Sequence, residues 1–215
     1  MIKVDLHTHS VASPDGGLTT EQYNKLIGSS AIDCLAVTDH GNTTTATELS
    51  TTFKENGEII AGQEVLTTHG EIIGLFLAQK ISDGLSPQET VVEIKKQGGF
   101  VLIPHPEDRH RNGLDAEIMD TIVEDIDAIE TINGRQIGKP KVDIKHWAKQ
   151  NNIPGVAASD AHSMSGVGRT YTMLREIPKN SEDLRRLLSE KTRLVHERPR
   201  IRSYLAPKFN RLRRQ

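Results

Sequence analysis

Short apolar runs alternate with amphipathic stretches along most of the chain, and this alternation sets the expected elements. Val4 to His9 opens with a period-two run that predicts a first strand. A loop rich in Ser, Pro and Gly follows at 10–17, and Thr19 or Thr20 is placed to cap a helix over 21–30. Residues 32–38 read as a mostly apolar strand that stops at Asp39-His40-Gly41. The Thr-rich segment 43–52 continues into a weak helix with Glu48, Leu49 and Phe53. Strands are expected at 59–67 and 71–77. Ser86, Pro87 and Glu89 form a strong helix start, which Gly98-Gly99 ends. The pattern then predicts a strand at 100–106, a loop at 107–113, a helix at 114–124, a strand at 127–133, a helix at 140–150, and strands at 155–159 and 169–174. Ser181 is expected to cap a helix over 182–190. From Val195 to Gln215 little periodicity remains beyond an amphipathic turn near the end.

Apolar strands that alternate with helices imply a mostly parallel sheet with helices outside it. Seven or eight such strands favour a closed or distorted barrel over an open sheet. The expected division is a catalytic barrel over residues 1–177 and, over 178–215, a helix and basic tail that pack on the barrel or extend from it.

Composition changes this picture little. At 215 residues with 35% apolar and 26% charged positions, the chain can bury a substantial core and does not read as disordered. Cys34 is the single cysteine, so no internal disulfide can form, and its apolar neighbours predict a buried thiol. No run is long enough to span a membrane, and Met1-Ile2-Lys3 leads into a strand rather than a signal peptide. Cytoplasmic residence is therefore the default expectation.

Charge is more informative. Of 27 basic and 29 acidic residues, the segment from Pro178 onward holds 12 and 4, which leaves 15 and 25 before it. An acidic body suits a site built from metal-binding carboxylates, and a basic tail could steer a polyanion or pack on the body.

Polar groups recur where a strand has just ended, the rim at which such folds build sites. His7 and His9 lie two apart, so a strand would present them side by side. Asp15, Asp39, His40, Glu64, His105, Glu130, Asn133, Asp160 and His162 follow at later strand ends or in the adjoining loops. Five of the nine histidines fall in this set. So many imidazoles and carboxylates at one rim would repel or strain one another without cations between them, which points to a multinuclear metal centre. Adjacent divalent ions suit phosphoester hydrolysis, since they acidify water and neutralise phosphoryl oxygens. Arg109, Arg111, Arg135, Lys139 and Arg169 follow strand ends as candidate phosphate grips. Arg169 leads among them because it lies just beyond the Asp160/His162 pair.

The succession His7-Thr8-His9, Thr38-Asp39-His40, Gly62-Gln63-Glu64, Ile103-Pro104-His105-Pro106 and Ser159-Asp160-Ala161-His162 resembles the polymerase-and-histidinol-phosphatase (PHP) superfamily, of the standalone metal-dependent phosphoesterase type. The resemblance runs in order over roughly residues 2–175. It implies an α/β fold, a distorted (β/α)7 barrel with two or three divalent ions (Mn, Zn or Fe) at the C-terminal ends of the strands. It assigns one ion to His7, His9, Glu64 and Asp160, and has Glu64 bridge to a second ion bound by His105. A third falls to Asp15, His40 and His162. Many relatives place a further histidine at or after the fourth strand, where this chain has none, so Glu71, His69, water or substrate would complete the second position. A carboxyl-rich set tilts the choice toward Mn. His40 or His162 would serve as general acid, with Arg169 on the substrate.

The expected substrate is a small phosphomonoester such as a nucleotide or histidinol phosphate. The alternative is a nuclease or nucleic-acid end-processing enzyme whose tail cations Arg198, Arg200, Arg202, Lys208, Arg211, Arg213 and Arg214 track a backbone. The scarcity of aromatics for base stacking weighs against it. No membrane partner is expected.

Overall fold

In the computed structural model the described residues are 1–27, 29–53, 55, 58–138, 140–197 and 201–213, with Arg109 described for its backbone alone. Among them, nine strands form one sheet that curls into a nearly closed barrel. In chain order they are β1 (Ile2–Thr8), β2 (Cys34–Val37), β3 (Ile59–Thr67), β4 (Gly70–Leu75), β5 (Phe100–Ile103), β6 (Ala128–Asn133), β7 (Gly155–Ala158), β8 (Thr170–Leu174) and β9 (Arg193–His196). Their spatial order is β7-β6-β5-β4-β3-β2-β1-β8-β9.

The sheet is mixed, not mostly parallel. β1/β2, β2/β3, β5/β6 and β6/β7 pair in parallel. β3/β4, β4/β5, β1/β8 and β8/β9 are antiparallel. The reason lies at Thr68-His69, a tight connection that turns β3 directly back into β4. A parallel neighbour needs a crossover of a dozen or more residues. The barrel closes through two bonds to side chains and one between backbones. Ala157 N donates to Thr172 Oγ1 at 2.9 Å, Ser159 N donates to the buried Asp5 Oδ1 at 2.9 Å, and His9 N donates to Ala161 O at 2.9 Å.

One apolar cluster draws on every strand from β1 to β8: Val4, Leu6, Cys34, Ala36, Ile60, Ile73, Leu75, Phe100, Leu102, Ala128, Val156 and Leu174. Following the same strand face upward turns apolar positions into polar ones, because alternate residues share a face. Ala128 leads to Glu130, Ile60 to Gly62 and Glu64, and Val156 to Ala158 and Asp160. The barrel is thus apolar below and chemically equipped above.

Helices α1 (Thr20–Ile27) and α2 (Thr44–Thr52) cover one flank with Tyr23, Leu26, Ala46 and Leu49. α3 (Pro87–Lys96), α4 (Ala116–Asp120) and α5 (Ile144–Gln150) cover the other. Ser86 caps α3 in a full capping box with Glu89, an arrangement whose loss on Ser→Ala costs about 1 kcal/mol. The residue that caps α6 (Ser181–Ser189) is Asn180, whose side chain accepts from Asp183 N; Ser181 is the first helical residue. Leu184, Leu187 and Leu188 of α6 join the barrel-filling cluster, and β9 extends the sheet. Residues 178–197 therefore pack on the barrel and extend its sheet.

α7 (Ile201–Leu212) replaces the expected aperiodic tail. Pro207 inside it weakens its helical signal in the sequence, because proline removes a backbone donor. Tertiary contacts with the barrel mouth supply the order. Among the described residues no helix is long and apolar enough to cross a membrane.

Candidate metal centre

The top of the barrel gathers eight of the nine sequence-predicted site residues. A register shift in the β1/β2 pairing between Asp5 and Thr8 sits just where His7 enters the site, and such irregularities re-aim side chains. His7 Nε2 lies 3.0 Å from His9 Nε2 and 3.1 Å from Glu64 Oε2. His9 Nε2 is also 3.1 Å from Glu64 Oε2, and Asp160 Oδ1 stands 3.7 and 3.6 Å from the two imidazoles. The other carboxylate oxygen of Glu64 faces His105 Nε2 at 2.9 Å. All five side chains are buried.

His7 Nδ1 contacts Glu130 Oε1 at 2.8 Å, which makes Nδ1 the donor, so that the neutral ring a metal ligand must be would turn its Nε2 lone pair toward Glu64. Two imidazole nitrogens and a carboxylate oxygen then meet with too few protons to separate them. Neighbouring ligand atoms about 3.0–3.4 Å apart are what bonds of about 2.0–2.2 Å to one ion require. The Nδ1 atoms of His9 and His105 are buried with no hydrogen-bond partner among the described residues. The donor set therefore fits a divalent cation. Other convergent groups are Glu64/Glu71/His105, His9/Asp15/His40, His9/Asp160/His162 and His7/His105/Asp160.

Glu71 answers the missing histidine. It is the second residue of β4, and the antiparallel direction of that strand brings its beginning, not its end, to the rim where the parallel strands finish. Glu71 Oε2 lies 3.7 Å from His105 Nε2 and Oε1 lies 3.8 Å from His40 Nδ1. His69 is exposed on the hairpin and contacts Thr68 Oγ1.

The charges respond to this crowding. Burial alone would raise Glu64, yet the imidazoles of His7 and His40 hold it well below the usual carboxyl range. Burial would lower His7, but the carboxylates of Glu64, Asp160 and Glu130 hold it well above its ordinary value. Burial and the Glu64 carboxylate push Glu71 up to about 9. Burial and His9 bring His162 down to about 4, and burial lowers His40 too.

Support comes from residues around these groups. Glu130 Oε2 accepts from His105 N at 2.7 Å and from Asn133 Nδ2 at 2.7 Å. His105 and Asp160 adopt positive φ (27° and 53°), a strained backbone that tertiary contacts must maintain and that is common at functional sites. Asp39 is not in the convergent groups. It accepts from Ser10 N at 2.6 Å and from the Ser10 hydroxyl at 2.5 Å, and so fixes the loop that carries Asp15.

A cavity of about 550 Å³ opens over the centre, lined by Asp15, His40, Glu64, Glu71, His105, Asp160 and His162. His40, with 26% of its side chain exposed, is the accessible imidazole of the set. The cationic wall consists of Arg111, Arg135, Lys208 and Arg211. Arg111 uses Nε and Nη2 on Asp108 and Nη1 on Asn133 and Asp160. Arg135 Nη1 reaches Asp160 Oδ1 at 3.1 Å and His162 Nδ1 at 3.2 Å. Arg211 Nη2 donates to Asp15 Oδ2 at 2.9 Å.

Arg169 does not line this cavity. Gly168, at φ +76°, precedes it, its carbonyl accepts from Glu197 N at 2.7 Å, and its guanidinium lies 3.8 Å from Glu197 Oε2. Pairing of β8 with β9 thus directs Arg169 to the sheet edge. Lys139, Arg198, Arg200, Arg214 and the Arg109 side chain lie outside the described residues. The wall that α7 contributes (Tyr204, Pro207, Lys208, Arg211, Leu212) was legible in the sequence only as excess positive charge.

A nearly closed mixed barrel with imidazoles and carboxylates converging at one end defines a class of cation-binding α/β barrel. Residues 5–112 match the PHP domain family and residues 144–192 the PHP-associated family, and the chain belongs to the PHP family. It is 37% identical over 143 residues to the uncharacterized protein MJ1587 of Methanocaldococcus jannaschii, which covers 61% of this chain and 82% of that protein. In fold it is similar to a Bacteroides vulgatus two-domain protein containing a predicted PHP-like metal-dependent phosphoesterase. That match has 20% identity and TM-score 0.71, over 98% of this chain and 69% of the other. It is also similar to a candidate metal-dependent phosphoesterase of Bifidobacterium adolescentis, with 14% identity and TM-score 0.62, over 86% and 95% of the two chains.

Proposed function

We propose that this chain is a metal-dependent phosphoesterase that hydrolyses a small phosphomonoester. One observation carries the reading: Glu64 directs one oxygen to His7 and His9 at 3.1 Å and the other to His105 at 2.9 Å, in a cavity walled by arginines. A carboxylate so shared suits a bridge between two cations. His7, His9, Glu64 and Asp160 would hold one, and Glu64, Glu71 and His105 the other; Mn, Zn and Fe all suit imidazole–carboxylate sets. Asp15, His40 and His162 stand at the third position that the family resemblance implies. Bound divalent ions supply Lewis acidity that acidifies water and neutralises phosphoryl oxygens.

The chain's own residues orient and discriminate. Glu130 holds the His7 tautomer, and Arg111 holds Asp160 in place. Arg135 spends Nη1 on protein partners and its Nε is buried, which leaves Nη2 to grip a phosphoryl oxygen. His40, the exposed imidazole, delivers a proton to the leaving alkoxide. The wall made by α7 limits the cavity to the volume of a small molecule, which favours a compact substrate over a polynucleotide.

The test is a Mn-supplemented assay on histidinol phosphate, nucleoside mono- and bisphosphates, sugar phosphates and short single-stranded oligonucleotides. Turnover of one small phosphomonoester far above the oligonucleotides is expected. Turnover of oligonucleotides alone, with steep salt dependence relieved by Arg202→Ala and Arg213→Ala, would instead make the chain a nuclease.

A further inference from the structure

The Asp15 end of the centre is built unlike the Glu64 end. Both oxygens of Asp15 already accept: Oδ1 from the Ser13 hydroxyl at 3.1 Å, and Oδ2 from Arg211 Nη2 at 2.9 Å, a guanidinium that can only donate. Oδ2 is also the atom that faces His162 Nε2, at 3.4 Å, and Oδ1 faces His40 at 3.9 Å. A cation held between Asp15 and His162 would lie against a guanidinium that shares the same oxygen. Arg211 does not reach this place by chance of a long side chain. Its neighbour Asn210 docks α7 through two hydrogen bonds, to Asp15 O at 2.9 Å and His162 O at 3.1 Å, so the helix is keyed to the two residues in question. Gly17 leaves room for this key, since a Cβ there would lie 2.6 Å from Asn210 Nδ2.

We infer that in this chain a guanidinium, Arg211, takes the countercharge position at Asp15 that would otherwise favour a third cation, so that the centre works with two tightly bound ions and an arginine. The inference rests on the metal-centre reading above and adds the stoichiometry. An arginine so placed still lines the cavity and supplies fixed positive charge toward the phosphoryl oxygens that a third ion would meet.

The experiment is Mn titration of the metal-stripped full chain by calorimetry, with bound Mn counted by elemental analysis after dialysis. The wild-type protein and Arg211→Lys should bind two ions tightly. Arg211→Gln should bind a third, with its affinity raised at least about tenfold, or 1.4 kcal/mol. Asn210→Ala, which removes docking bonds but no charge, should stay at two. Three equivalent ions in the wild-type protein, an unchanged count in Arg211→Gln, or Arg211→Lys behaving as Arg211→Gln would each overturn the inference. Binding of no ion at all would overturn the metal-centre reading with it, whereas two ions in every variant would overturn this inference alone.

Discussion

Around Glu64 the polar groups stand on strands or at their very ends, and the carboxylate oxygens face imidazole nitrogens at 2.9–3.1 Å. Around Asp15 they come from a loop and a helix, and the carboxylate is already taken by a hydroxyl and a guanidinium. Strand-borne groups are fixed by barrel packing, so the Glu64 end can keep unshared nitrogens and oxygens close together in a cation's geometry. Loop-borne groups are free to relax, and here Asp15 relaxes onto a hydroxyl and a guanidinium. One rim thus combines a rigid, charge-frustrated half with a half whose carboxylate is satisfied, although His162 Nε2 there is buried with no hydrogen-bond partner among the described residues.

The largest expected effect breaks the frustrated half. His7→Ala or Asp160→Ala should abolish phosphoester hydrolysis and lose bound metal while circular dichroism stays near that of the parent chain. Turnover at the parent rate would remove the basis for the centre.

A smaller effect sharpens it. Glu71→Gln should lose one of the two tightly bound ions on elemental analysis, and His69→Ala should lose none. The reverse outcome would return the hairpin histidine to the site.

The pH dependence follows from the same residue. Glu71 sits at about 9 in the fold against an ordinary 4.5, and His7 is also held above its ordinary value. A raised group stabilises the fold fully below its unfolded value and ceases to do so as pH rises through its folded value. His40 and His162, held low, act only below about 6.5. The Tm of the chelator-treated protein should therefore fall between about pH 7 and 9, with Glu71→Gln flattening part of the decline. Saturation with Mn should oppose it, because the cation replaces the proton. A chelated protein with constant Tm over that range would show that Glu71 is not protonated.

The smallest effect belongs to Arg169→Ala. With its guanidinium directed toward Glu197 and outside the cavity, its replacement should leave kcat and KM within about twofold, since surface pairs contribute about 0–1 kcal/mol. A selective rise in KM would bring Arg169 back to the substrate.

Much of this was written locally. Ser86, Pro87 and Glu89 specify the start of α3 through contacts within three residues, and β3 spans the predicted 59–67 without change. The i, i+2 spacing of His7 with His9 survives folding because side-chain alternation along a strand is a property of the backbone alone, whereas Asp160, beyond β7 at φ 53°, reaches the rim through a left-handed backbone. What the sequence determined by itself was therefore the order of the elements as far as α6, the barrel class and a candidate set of polar groups at the rim.

Tertiary structure decided the rest. It reversed β4 so that Glu71, at the strand's beginning, reaches the rim. It paired Arg169 with Glu197 at an edge formed by β9. It also folded a basic segment, with proline in its interior, into α7 and carried Arg211 to Asp15, 196 positions away. The first outcome follows from the short Thr68-His69 connection, and the other two are contacts between distant segments, settled by strand pairing and by which buried charge finds a partner, of which periodicity along the chain carries no record.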